Sequence, residues 1–238
     1  MTRRCWKLAR KALTGAVQYG SNLIANWRTK VSFMTLRAPQ YLGLLRGRTV
    51  VILCTGPSMD TCVDDVAALI ERTNAVVFGV NDATRYLPVD YHCFTNQKRF
   101  KSFYDYVLEN SVVLLGPSIP RRKAKKLFND RIMWLSYRND RPDDFSIKQG
   151  VVQTDCRSSG VLLVAIAYLM GAKHIYVCGL DGYGSAASEH DRLVDQDNYK
   201  YLHLIDEYLA GAQPKCSFKI VTPTVFEKFY MSICKAGR

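Results

Sequence analysis

Four short segments carry residues able to hold an anionic, hydroxyl-rich ligand. Cys54-Thr55-Gly56-Pro57-Ser58 follows an apolar run and precedes a helical one. A glycine there lets backbone approach a ligand, and the free N–H groups of a helix start attract an anion such as phosphate. Asn81-Asp82 and Thr95-Asn96 end two further apolar runs. Their side chains suit a nucleobase, ribose or sugar, although asparagine in that place also serves as a helix cap. Arg157-Ser158-Ser159-Gly160 opens the stretch VLLVAIAYLMGA, where hydroxyls, N–H groups and a guanidinium favour a carboxylate or phosphate. The run HIYVCG leads into a polar turn, Asp181-Gly182-Tyr183-Gly184. No G-x-G-x-x-G fingerprint and no Walker lysine accompanies these segments, which argues against a dinucleotide oxidoreductase and a P-loop enzyme. His92, His174 and His203 lack ligand spacing with one another or with the cysteines, so no metal site is expected.

The elements that must position these residues are legible as short β-branched runs: 49–54, 75–80, 91–94, 111–116, 131–136, 174–179 and 218–223. They alternate with helical patterns near 60–72, 98–109, 121–129, 159–170, 199–210 and 224–234. Near-continuous apolar strands indicate a sheet covered on both faces, so the expected fold is α/β, a single doubly wound, mostly parallel Rossmann-like sheet. Ligands bind outside the carboxyl ends of such strands, where all four polar segments fall. Residues 138–158 and 182–198 read as two long loops.

The 238 residues are 48% apolar and 11% aromatic, enough to fill one sizeable core and to exclude disorder over most of the chain. The net charge of +12 is unevenly placed. Ten cations precede the first acidic residue, Asp60, leaving +2 for everything after them. The chain therefore divides into a basic leader, 1–47, and an α/β domain, 48–238. Within the leader, Trp6, Leu13, Val17, Ile24 and Trp27 fall near one helical face with Arg3, Lys7 and Arg10 mostly off it. Such a helix could lie on an anionic membrane surface through residues 1–30, or pack on its own domain. No apolar run is long enough to span a bilayer, and no secretory pattern stands out. The eight scattered cysteines read as buried thiols of a reducing compartment, placing the protein in the cytoplasm or peripherally at the inner membrane face. The localised charge and the lack of a recognised module argue against a nucleic-acid partner.

Taken in order, TGPS, GVND, FTNQ and RSSGVLLVAIAYLMGAKHIYVCGLDGY resemble the bacterial lipooligosaccharide sialyltransferases over roughly residues 49–223. The resemblance implies a metal-independent glycosyltransferase that moves a CMP-activated ulosonic acid, sialic acid or Kdo, onto a surface glycan or glycolipid, without a separate cofactor and with self-association left open. By that likeness Thr55, Gly56, Pro57, Ser58, Asn81, Asp82, Asn96, Arg157, Ser158, Ser159, Gly160 and Asp181 surround the donor. Tyr183 stands beside the leaving phosphate, and His190 is the general base of an inverting reaction. Related Kdo transferases retain configuration through an aspartate nucleophile, which makes Asp155 the rival catalytic residue. The run N-D-A-T-R-Y-L-P-V-D also resembles the archaeal-type pterin diphosphokinases, whose following strand ends in carboxylates that hold Mg²⁺. Here that strand ends Thr95-Asn96-Gln97-Lys98, amides and a cation, which favours sugar transfer.

Overall fold

A computed structural model describes residues 39–138, 144–184 and 188–234; the leader helix expected over 3–27 lies outside them. Seven parallel strands form the central sheet: β1 (Thr49–Leu53), β2 (Val76–Val80), β3 (Tyr91–Phe94), β4 (Val112–Leu115), β5 (Ile132–Trp134), β9 (His174–Cys178) and β10 (Ser217–Ile220). Their order is β10-β9-β1-β2-β3-β4-β5. The chain leaves β1 towards β2 on one side and leaves β9 towards β10 on the other, so the strand order reverses between β1 and β9. In an open α/β sheet, that reversal opens a crevice at the carboxyl ends.

Strand alternation assigns the two layers. Val51 and Leu53 of β1, Val77 of β2, Phe94 of β3 and Val113 and Leu115 of β4 share one face by register. Helices α1 (Met59–Thr73), α2 (Gln97–Phe103) and α3 (Arg121–Phe128) cover it, burying Val66, Phe100 and Phe128. Val50, Ile52 and Cys54 face the other way, against α4 (Ser159–Leu169) and α5 (Glu189–Gly211). Helix α4 is apolar all round, with eight consecutive buried residues from Gly160 to Ala167, because it is enclosed rather than lying on the surface.

Several expectations are corrected. The stretch 138–158 is not one loop: β6 (Tyr137–Arg138), β7 (Phe145–Lys148) and β8 (Val151–Thr154) form a small second sheet. Gln149 and Gly150, both at positive φ (53° and 75°), give the turn that joins β7 to β8 in the two-residue form favoured by hairpins. Residues 182–198 are not a loop throughout either, since α5 begins at Glu189. Ser188 caps it by accepting from Asp191 N, and Glu189 and Asp191 complement the helix dipole. The helix expected over 224–234 is absent: a short 3₁₀ turn, Glu227–Phe229, leads into a tail beside β10, where Met231 N donates to Ile220 O and Ile233 N to Val221 O. Residues 39–47, assigned to the leader by sequence, pack on the domain. Tyr41 is fully buried, and Gly43, Leu45 and Gly47 N–H groups donate to Leu169, Met170 and Gly171.

The cysteines divide. Cys54, Cys93, Cys156 and Cys178 are buried free thiols, but Cys62 and Cys234 form a disulfide with Cα atoms 5.7 Å apart, contrary to the expectation of thiols throughout. The bond fixes the C-terminal tail to α1. No helix among the described residues is long and apolar enough to cross a membrane.

Candidate functional site

The crevice between β1 and β9 is tightly braced. Gly56 N donates to Gly179 O at 2.9 Å and Cys54 N to Cys178 O at 2.8 Å, continuing the ladder past the strand ends. Asp181 then reaches across to accept from Ser58 N at 2.6 Å and Ser58 Oγ at 2.5 Å. Glycine is required on both walls. A Cβ on Gly56 would lie 2.6 Å from Gly179 O and from Asp181 Cγ, and Gly179 sits at φ 68° with its Cβ position 2.7 Å from Cys54 O. Ser58 holds the position before α1 without capping it, because its hydroxyl is committed to Asp181. The expected phosphate donors of the Gly-Pro-Ser turn are thus partly occupied by the protein's own carboxylate, while Thr55 and Gly56 are half-buried and Pro57 is exposed at the rim.

The start of α4 packs beside this brace, Gly160 lying against Cys54. Ser158 caps the helix, its hydroxyl accepting from Val161 N at 3.5 Å. Ser159 Oγ is hydrogen-bonded to Thr95 Oγ1 at the end of β3, and Thr95 O accepts from Tyr137 Oη at 2.9 Å. Gly160 is a packing glycine: a Cβ there would collide with Cys54 Sγ, so the glycine lets α4 press on β1. Asp155 stands at the approach to α4, 3.9 Å from Arg157, whose side chain is 82% exposed. Asp155 and Asp197 of α5 both lie close enough to Cys156 to help raise its pKa to about 12, after the larger effect of burial. Burial likewise pushes Cys54 up to about 12, with the Asp181 charge adding to it. Neither thiol is a nucleophile at neutral pH.

The ends of β2 and β3 resolve differently. Asn81 adopts φ 53°, a left-handed conformation asparagine tolerates, and its carbonyl accepts from Nε2 of the fully buried His92 at 2.6 Å. That bond fixes the proton on Nε2 and leaves Nδ1 a buried acceptor with no partner among the described residues. Burial lowers the pKa of His92, against the opposing effects of the Asn81 hydrogen bond and the Asp82 charge. Asp82 pairs with Arg85 at 3.2 Å, and Arg85 and Asp60 both bond Tyr86 Oη, tying this turn to α1. Asn96 caps α2, its Oδ1 accepting from Arg99 N at 2.9 Å.

The residues assigned to catalysis stand on separate elements, and no hydrogen bond or ion pair joins them among the described residues. Tyr183 is 57% exposed, in a turn held by Asp195 Oδ2, which accepts from Tyr183 N and Gly184 N. His190 is exposed on the first turn of α5, rather than in a loop, and makes no hydrogen bond or ion pair among the described residues. Thr95, His92 and Asp195 take structural parts here that the sequence motifs leave unassigned. The T-N pair at a strand end marked Thr95, but a cross-sheet partner such as His92 has no local signal.

A similar fold occurs in a glycosyltransferase. The Maf glycosyltransferase from Magnetospirillum magneticum AMB-1 superposes with a TM-score of 0.54 at 13% identity, over 84% of this chain and 36% of that one. At that identity the likeness shows the Rossmann-like fold, and the chain spans little more than a third of that protein. No family model matches the chain. No curated protein matches it either.

Proposed function

We propose that the protein is a glycosyltransferase that takes its sugar from a nucleotide donor, with a CMP-linked ulosonic acid as donor, a surface glycan or glycolipid as acceptor and no metal requirement. One observation carries the reading: the four polar segments that resemble the sialyltransferase pattern gather on the carboxyl edge around the reversal between β1 and β9 and the start of α4. The fold shared with a glycosyltransferase supports transfer of a sugar.

The protein's own residues take distinct parts. The Ser58–Asp181 brace shapes the crevice, while the Ser158-Ser159-Gly160 helix start and Arg157 receive the donor's phosphate or carboxylate. Tyr183 and His190 stand at the rim, where His190 would take the acceptor's hydroxyl proton as sugar and phosphate part. In the retaining variant, Asp155 attacks the anomeric carbon, CMP departs, and the acceptor oxygen then displaces Asp155.

Thermal-shift titration with CMP, UDP, ATP and S-adenosylmethionine tests the reading. CMP stabilises the protein without added metal, and Arg157→Ala, at a side chain too exposed to matter to the fold, weakens the CMP-sugar donor by about tenfold. Stronger, Mg²⁺-dependent stabilisation by ATP would replace this reading with the pterin-kinase one. Intact-mass measurement after incubation with the donor alone separates the two mechanisms, since only the Asp155 route leaves a sugar-sized adduct.

A further inference from the structure

The charge that remains once the leader is set aside is not spread over the domain. Residues 60–96 carry six acids and two cations, and 132–238 are balanced at twelve of each, whereas 97–131 carry nine cations and three acids. The whole excess of the domain therefore falls on α2, α3 and their connections. These helices lie together on the same face of the sheet: Lys123 Nζ of α3 sits 5.8 Å from the Phe100 ring of α2 and 4.9 Å from the ring of Tyr104, in the 3₁₀ turn that follows α2. Arg121 is engaged over Trp134 in the same way. Lys98, Lys101, Arg122, Lys125 and Lys126 are exposed and make no ion pair among the described residues. Leu127, 38% exposed, lies among them.

We infer that the outer face of α2 and α3 is a docking surface for an anionic phospholipid bilayer. The cations are spread across two neighbouring helices rather than along one line. A plane of anionic head groups can meet all of them, whereas a single polyanionic chain would follow only one row. Among the aromatic rings of this layer, Phe100, Phe103, Tyr104 and Trp134 lie under cations or in the core, and Tyr106, 44% exposed, is engaged edge-on with Phe103, so no row of free rings is offered for stacking successive nucleobases. An exposed leucine among lysines is suited to the head-group boundary. Because α2 and α3 both start at the carboxyl edge of the sheet, this docking sets the candidate crevice beside the lipid surface. The inference is independent of whether the domain transfers a sugar.

Two full-length variants of equal net charge test it. One carries Lys98→Gln, Lys101→Gln, Arg122→Gln and Lys125→Gln. The other carries Lys148→Gln, Lys173→Gln, Lys215→Gln and Lys219→Gln at exposed positions elsewhere. Co-sedimentation is measured with phosphatidylglycerol–phosphatidylcholine vesicles at about 0.1 M salt, with circular dichroism confirming that both variants fold. Wild type and the second variant bind, and the first loses about a hundredfold in partition coefficient or more, since each near-surface cation contributes about 1 kcal/mol. Equal loss in both variants, full retention by the first, or patch-dependent binding of DNA in place of vesicles would overturn the inference.

Discussion

The crevice wall between β1 and β9 and the residues proposed for its rim, Tyr183, His190 and Asp155, are built in opposite ways. In the wall, Gly56, Gly179, Ser58 and Asp181 leave no room for a side-chain methyl and little freedom for a hydrogen-bonding group. At the rim, His190 makes no hydrogen bond or ion pair among the described residues, and Tyr183 is mostly exposed. A rigid wall fixes the geometry of a crevice, whereas groups that meet two substrates in turn must remain accessible. The difference predicts that wall and rim respond differently to substitution.

The largest effect is expected at Gly179. Its left-handed conformation and the contact a Cβ would make with Cys54 O mean that Gly179→Ala destabilises by about 3 kcal/mol or more, read by urea denaturation. Next, Asp181→Ala leaves the Ser58 N–H and hydroxyl without their acceptor and lowers stability by about 2 kcal/mol, with Asp181→Asn in between. A smaller, pH-dependent effect belongs to His92. Its folded pKa is lowered below the ordinary 6.5, so the unfolded chain binds the extra proton more readily. The associated stability is complete above that range and is lost as pH falls below it. Wild type therefore loses more melting temperature than His92→Gln between about pH 7.5 and about pH 5.5. At the rim, His190→Ala changes stability by no more than about 0.5 kcal/mol while lowering turnover by roughly 10² to 10⁴ if it is the base. A large stability loss there would erase the contrast between wall and rim.

Legibility from sequence followed the same division. The inner strands β1, β2 and β4 are almost uniformly apolar and largely β-branched because burial on both faces leaves little other composition open to them, whereas the edge strand β10 shows alternation, with Ser217 and Lys219 exposed. The start of α5 was missed because EHDRLVDQDN presents few apolar residues to show a helical period; the Ser188 cap and its acidic first turn were the available signal. The apolar spacing of the tail suggests a helix, but Pro223 and pairing with β10 direct it along the sheet edge. Within the site, the four motifs were legible as motifs. That Asp181 closes on Ser58, or that Thr95 meets Ser159, depends on contacts across 123 and 64 residues, which no local pattern encodes.

The Cys62–Cys234 bond joins residues 172 apart and so turns most of the domain, from the first turn of α1 to the tail, into a covalent ring. A ring has no free ends to separate when it is cut once. A protease that cleaves at the exposed Lys148, at the tip of the β7–β8 hairpin, would linearise the ring without releasing a fragment. On a non-reducing gel the nicked protein would keep its full mass, and two pieces would part only after a thiol reductant opened the bond.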